Sequence, residues 1–501
     1  MTWKKRKLLL EQIMKTKSFY ITTTLPYVNA PLHMGHALEL IRADAIARYK
    51  KLSGYDVYFN TGTDEHGIKI YGKAQEKGVE IQNFVDEAFE TFKNQLKMFG
   101  ITEEAHFIRT TDKHHIESAQ YFWKLVAQNG FIYNKNYEAK YCIGCESEKT
   151  DSELENDECK EHPGVKVSII NEENYFFKYS AFQEKLLKFY EERGDFVIPD
   201  FRFNEMKIFV ANGLQDFSIS RLKTKMPWGI EVPEDPEHVM YVWFDALINY
   251  ISTLGWPASA EASAGKPENL FTKFWVNGTP TQYCGKDNTR FQGAMWQAML
   301  MAAGLPNSHQ IVVNGFITGE GGIRMSKTLG NVIDPRDVVS EYGVDALRYF
   351  LLREVSSFED SPFTLERFKD AYNSGLANGL GNLASRILTL SEKYLEKCPE
   401  IPERTDFTEY FKIYEEFDIK KAMDYIWDKI QNLDKKIQTT EPFKVIKIDE
   451  KKGKEIIKEL VLELYQIARM LNPVMPETNE KLKKLIRENK KPEKPLFFRK
   501  E

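Results

Sequence analysis

Cysteine is scarce in this chain. Five in 501 residues are too few for a disulfide framework. Three of the five fall close together, at 142, 145 and 159, which points to metal binding in a reducing compartment. Long apolar runs are also missing. No stretch approaches the roughly eighteen residues of a membrane-spanning helix, so no membrane partner is expected. The start of the chain, Met1 to Leu10, is basic but has only a short apolar run before Glu11, and it does not read as a signal peptide. Residues 1–16 are expected to be a flexible extension, with Met14 a candidate natural start. An excess of basic charge is lacking too: 69 Lys and Arg face 74 Asp and Glu, for a net charge of −5. A nucleic-acid partner would need a local basic surface. The Lys481–Lys500 stretch could supply one, or be a solvated charged face. No repeat of 20–50 residues is evident.

What is present fits a chain of roughly two to four domains. Phe19 to Thr24 reads as a buried strand and 27–31 as a turn. A helix from His36 ends at Gly54, and Tyr55 to Asn60 is a second strand. This order opens a nucleotide-binding α/β sheet, whose ligands sit at the carboxyl ends of the strands. From about 135 to 232 the character changes to a cysteine-bearing acidic segment with β-prone pieces. The parallel-sheet pattern resumes near Tyr241, with Gln310 to Asn314 a further buried strand. Beyond Thr364 the apolar spacing is helical at 365–397, 408–438 and 452–488, broken by prolines, as in a helix bundle.

Two motifs carry the chemistry. In Pro31-Leu32-His33-Met34-Gly35-His36, a loop enters a helix N-terminus, where free N–H groups and the dipole favour an anion. Gly35 leaves room for a nucleotide, and the two imidazoles can donate to phosphate oxygens. Such a site works by positioning and charge stabilisation. Far along the chain, Gly319-Glu320-Gly321-Gly322 precedes Arg324-Met325-Ser326-Lys327-Thr328. The glycines suit a lid closing on a triphosphate, with Lys327 the candidate for the leaving pyrophosphate. Either motif alone reads as well as a helix cap or a surface loop. Together they describe an ATP site.

Cys142-Ile143-Gly144-Cys145 and Cys159-Lys160-Glu161-His162 are CxxC and CxxH separated by thirteen residues. Three thiolates and one imidazole make a closed tetrahedral Zn²⁺ set, hence a structural one. Its acidic surroundings cannot fold by burial alone, so metal would supply the folding energy. Tyr27, Trp243, Tyr250 and Phe291 recur near strand ends. Such rings usually fill core, but they also suit a thioether side chain.

With these motifs, Thr23 to Asn29, Thr61 to Gly67, Tyr241 to Leu247 and Gly285-Lys286-Asp287, the chain resembles the methionyl-tRNA synthetases, a family of class I aminoacyl-tRNA synthetases, from about Lys17 to its end. The resemblance implies a Rossmann-like parallel-sheet domain, split by the knuckle insertion and followed by an all-α anticodon-binding domain. The corresponding divisions are 1–16, 17–134, 135–232, 233–322, 323–363 and 364–501. It implies ATP, L-methionine and tRNA(Met) as partners, with Mg²⁺ accompanying ATP. Asp64 would hold the methionine amino group; Leu25, Tyr27, Trp243, Leu247, Tyr250 and Phe291 would line the side-chain pocket. Gly285 and Asp287 would hold the ribose, while His33, Gly35, His36 and Lys327 would serve the phosphates. Asn378, Asn382 and Arg386, spaced by four, would read the anticodon with Phe443.

Four positions depart from the family's commonest form. Arg324 stands for a lysine, Thr328 for a serine, Gln292 for a histidine beside the pocket and Phe443 for a stacking tryptophan. A single knuckle is present where some relatives carry two, and without the appended tRNA-binding domain of longer members a monomer is expected; the expected location is cytoplasmic. Three alternatives compete. A branched-chain synthetase needs a larger insertion than 135–232, and a cysteinyl enzyme needs zinc ligands spread along the sheet. A small nucleotidyltransferase with an HxGH motif needs neither bundle nor knuckle. A non-catalytic RNA-binding paralogue would not need His33, His36, Asp64, Asp287 and Lys327 intact.

Overall fold

The computed structural model describes residues 17–145, 147–149, 151–257, 269–323, 325, 333–402 and 407–501. The chain divides into two compact units. The first comprises 1–31, 57–94 and 104–313; the second comprises 32–56, 95–103 and 314–501. None of the described helices is long and apolar enough to cross a membrane.

The first unit is built on a six-stranded sheet of β1 (Ser18–Thr22), β2 (Asp56–Thr63), β3 (His106–Arg109), β4 (Val197–Ile198), β5 (Thr279–Gly285) and β6 (Gln310–Asn314), in the order β3-β2-β1-β5-β6-β4. β1 with β5, β2 with β3, and β6 with β4 pair in parallel. Parallel strands are covered on both faces and so read as continuous apolar runs; in β1 and β6 only the first residue is not buried. Within 135–232, Val197 and Ile198 return to this sheet as its edge strand. Two residues are too short to carry a sequence pattern of their own.

The same stretch holds a long antiparallel hairpin. Ile132–Cys142 pairs with Ser168–Phe177, from Ile132 opposite Phe177 to Tyr141 opposite Ser168. Its far end carries the cysteine segment, where Ser147–Lys149 pairs back onto Lys140–Cys142.

The second unit is helical. α1 (Met34–Leu52) is buried on nearly every side, and its polar residues are partnered. The Arg42 guanidinium donates to the carbonyls of Val355, Ser356 and Ser357. The Asp44 carboxylate accepts from Arg48, Arg348 and the Thr102 N–H at 2.7–2.9 Å. Gly54, at φ 85°, follows the helix end as expected of a left-handed stop. Then come α2 (Asn382–Tyr394), α3 (Thr408–Glu415), α4 (Ile419–Thr440), α5 (Pro442–Val445), α6 (Glu450–Met470) and α7 (Pro476–Arg487). α4 buries Ile419, Met423, Ile426, Ile430, Leu433 and Ile437, an amphipathic stripe at helical spacing. Pro442 and Pro476 open α5 and α7, where a missing N–H costs nothing. The expected helix at 408–438 is broken between α3 and α4, at Phe417 with φ 56°. Phenylalanine gives no sequence signal for that conformation.

Candidate active site and metal centre

In the first unit, the chain leaves the carboxyl ends of the adjacent strands β2, β1 and β5 at the residues the sequence marks. The ends of β1 and β2 are tied together: the Asp64 N–H donates to the Pro26 carbonyl at 3.0 Å and the Val28 N–H to the Asp64 carbonyl at 3.3 Å. Tyr27 and Asp64 thus lie side by side as a parallel bridge. Leu25 and Tyr27 are half-buried and Asp64 is buried. β5 ends at Gly285, which is buried, while Asp287 is exposed in the following turn.

Trp243 and Phe291 stack face to face, 3.8 Å between ring centroids and 4° between planes. Leu247 and Tyr250 are buried in the main core cluster and Phe291 packs against it. The Tyr250 oxygen accepts from the Gln292 amide.

Sequence reasoning passed over a buried charge cluster that fixes this wall. Asp245, between Trp243 and Leu247, is fully buried. Its carboxylate lies 3.1 Å from His66 Nδ1 and 3.6 Å from His115 Nε2, and His115 Nδ1 meets Ser252 Oγ at 2.9 Å. Burial alone would raise the Asp245 carboxyl, but the two histidines outweigh it and hold it below its usual range. Next to His66, the buried Glu65 accepts from Thr63 and Arg109, and the Trp228 indole donates to its carbonyl. The loop carrying Asp64 is therefore clamped to the Trp243 segment. Asp245→Asn is expected to cost about 1–3 kcal/mol of stability, the usual toll for leaving buried polar partners unsatisfied. An unchanged urea midpoint would refute this.

The knuckle belongs to the same unit. The ligand atoms of Cys142, Cys145, Cys159 and His162 all lie within 4.8 Å of one another. Cys145 Sγ is 3.5 Å from Cys159 Sγ and 3.2 Å from His162 Nδ1. With Zn–S near 2.3 Å, a tetrahedron has S–S edges of about 3.8 Å, so the set fits one ion of that size. Gly144 is required, because a Cβ there would come within 2.6 Å of the His162 ring. Asn156 and Asp157, at φ 50° and 61°, turn the chain back toward Cys159; such residues tolerate that region best. Lys149 pairs with Glu161 at 3.2 Å across the acidic segment.

In the second unit, His33 caps α1. Its Nδ1 accepts from the N–H groups of Gly35 and His36, and His36 Nδ1 accepts from the His33 N–H. The rings stack with centroids 3.8 Å apart. An acceptor nitrogen carries no proton, so both neutral rings hold theirs on Nε2. The pair thus places two Nε2–H donors at a helix start whose Gly35 and His36 N–H groups the His33 ring already caps. Burial, and then His33 beside it, push the His36 imidazole well below its usual range. A Cβ on Gly35 would come within 3.1 Å of the His33 ring.

Asn378 and Asn382 are exposed and Arg386 is half-buried. They run from a π-helical stretch, Tyr372–Gly381, into α2, and Arg386 pairs with Asp434. Phe443, in α5, is 42% exposed. Lys327, Arg324 and Thr328 lie outside the described residues.

A family model described as class I tRNA synthetases (M) matches residues 19–388. A methionine–tRNA ligase of Caldanaerobacter subterraneus is 41% identical over 93% of the chain and 73% of its own length. One of Thermotoga maritima is 40% identical over 95% and 76%, and one of Rhizobium meliloti 38% over 94% and 92%. Among solved structures, Mycobacterium tuberculosis methionyl-tRNA synthetase in complex with methionyl-adenylate aligns at TM-score 0.84 and 35% identity, covering 93% of each chain.

Proposed function

The chain belongs to the methionyl-tRNA synthetase family of class I synthetases, and from that premise we propose which of its residues perform the reaction. The enzyme is a methionine–tRNA ligase: it joins L-methionine to tRNA(Met) at the expense of ATP, through methionyl-adenylate, releasing diphosphate and AMP.

Asp64 holds the methionine ammonium. Leu25, Tyr27, Trp243, Leu247 and Phe291 enclose the side chain, and the Tyr250 hydroxyl meets its sulfur. Gly285 admits the ribose and Asp287 accepts from its hydroxyls. The methionine carboxylate attacks the α-phosphorus and the bond to diphosphate breaks. His33 and His36 donate to the α-phosphate oxygens as charge develops there, Gly35 leaves room for the nucleotide between them, and Lys327 neutralises the departing diphosphate. The 2′-hydroxyl of the terminal adenosine then takes the methionyl group, releasing AMP. The observation carrying this reading is the stacked histidine pair, with both δ nitrogens accepting from backbone N–H groups, which places both ring protons on the ε nitrogens.

Cys142, Cys145, Cys159 and His162 hold Zn²⁺, which when bound ties the knuckle together. Mg²⁺ enters with ATP. The working form is a cytoplasmic monomer. Asn378, Asn382, Arg386 and Phe443 form the anticodon-reading surface. Phe443→Ala is expected to lower kcat/KM for tRNA by about tenfold or more, because stacking of a base on an aromatic ring contributes about 1–3 kcal/mol. Methionine-dependent exchange should not change, and a parallel fall in exchange would remove Phe443 from the tRNA surface.

The deciding experiment is exchange of pyrophosphate into ATP with methionine, leucine, isoleucine, valine and cysteine in parallel. Exchange with methionine alone is expected. Exchange with another of them would reassign the pocket. No exchange by folded, zinc-loaded protein would favour the RNA-binding paralogue.

A further inference from the structure

Behind the pocket wall runs a chain of buried amides and hydroxyls that is fixed at its far end by the backbone. Gln297 is fully buried. Its Oε1 accepts from the Ser308 backbone N–H at 3.0 Å and from Asn307 at 3.1 Å. Its Nε2 donates to the Gln292 backbone carbonyl at 2.8 Å and to Ser308 Oγ at 3.0 Å. A backbone N–H can only donate and a backbone carbonyl can only accept, so Gln297 has one orientation. Ser308 Oγ receives a proton from Gln297 and must donate its own onward, to Gln282 Oε1 at 2.6 Å. Gln282 Nε2 then donates to Gln292 Oε1 at 2.6 Å, which turns Gln292 Nε2 toward the Tyr250 oxygen. Gln297, Ser308, Gln282, Gln292 and Tyr250 are each at most 2% exposed, so reversing any link among them strands a buried donor or acceptor.

We propose that Ser308, Gln297 and Gln282 are positioning residues for substrate selection: they oblige the Tyr250 oxygen to accept from Gln292, so that its own proton points away from Gln292 and is offered to an acceptor atom on the bound side chain. The chain thereby favours a thioether over an isosteric methylene. This rests on the methionine reading of the pocket.

The test compares kcat/KM for methionine with that for norleucine, in amino-acid-dependent exchange at pH 8. A carboxylate at 282 can only accept. In Gln282→Glu the Gln292 amide must turn its nitrogen toward residue 282 and its oxygen toward Tyr250, so the tyrosine proton is drawn away from the substrate. The methionine-to-norleucine ratio is expected to fall about five- to tenfold, the worth of one hydrogen bond, with norleucine itself little changed. Ser308→Ala removes the enforced direction without reversing it and should lower the ratio about two- to threefold. Ser308→Thr, which keeps the hydroxyl, should restore it. If Gln282→Glu does not fold, the Ala and Thr variants at 308 decide. An unchanged ratio, or equal losses for both substrates, would overturn the proposal and leave a purely structural network. Wild-type exchange with neither substrate would instead overturn the methionine reading on which it rests.

Discussion

His36→Ala is expected to slow methionine-dependent pyrophosphate exchange by about 10²–10³-fold, with the KM for methionine nearly unchanged. The magnitude is that of removing one preorganised donor from a charge-stabilising site. The selectivity follows from the role: the His36 proton meets charge that exists only as the α-phosphorus is attacked, so the loss falls on the transition state. His33 contributes a second donor, but its Nδ1 also caps α1. Its replacement should therefore add about 1 kcal/mol of destabilisation to the kinetic loss. A comparable rise in KM with kcat intact would move His36 from catalysis to ground-state binding.

The same residue has a pH signature of definite sign. Burial and His33 depress the folded-state affinity of His36 for a proton, whereas an unfolded histidine titrates near 6.5. Above that pH both states are neutral and the residue adds no pH dependence. As pH falls through about 6.5, the unfolded chain takes up the proton first, so the folded protein loses stability relative to it. The wild type should therefore lose Tm relative to His36→Gln as pH falls from about 7.5 to 5.5. A Tm difference that stays constant with pH would show that the folded ring titrates normally.

What the sequence makes legible here is what is local along the chain. The histidine motif, its glycine and the helix behind it occupy a few consecutive residues, and the four knuckle ligands fall within 142–162. The strand ends proposed to hold the substrates are marked by short motifs such as 61–67 and 285–287. The supports of those motifs are not legible, because they are assembled from distant segments. Asp245 meets histidines at 66 and 115, and three residues that are each ordinary core or surface constituents become a cluster only when the fold brings them together. Gln282 and Ser308 are likewise unremarkable until the parallel strands fix which amide faces which carbonyl. The edge strand Val197–Ile198 is found by its partner β6 rather than by any periodicity of its own.

Stripping the metal is expected to unfold the cysteine segment while the six-stranded sheet remains folded. Apparent binding energies of about 10–16 kcal/mol for structural Zn²⁺ in small knuckles are folding energy, and this knuckle has little else. Among its described residues, Cys142 and Cys159 are the buried apolar side chains, at 0% and 1% exposure, whereas Glu155 and Glu161 around them are exposed. Without an ion, thiols, imidazole and carboxylate crowd one small space. Purified protein should carry one zinc per chain, and Cys145→Ser should carry much less. The variant and the chelated protein should both become cleavable by protease within 146–161, with the remaining fragments resistant. Full protease resistance after chelation would mean that the hairpin Ile132–Cys142 with Ser168–Phe177 stabilises the segment unaided. Global unfolding would mean instead that the metal supports the whole first unit.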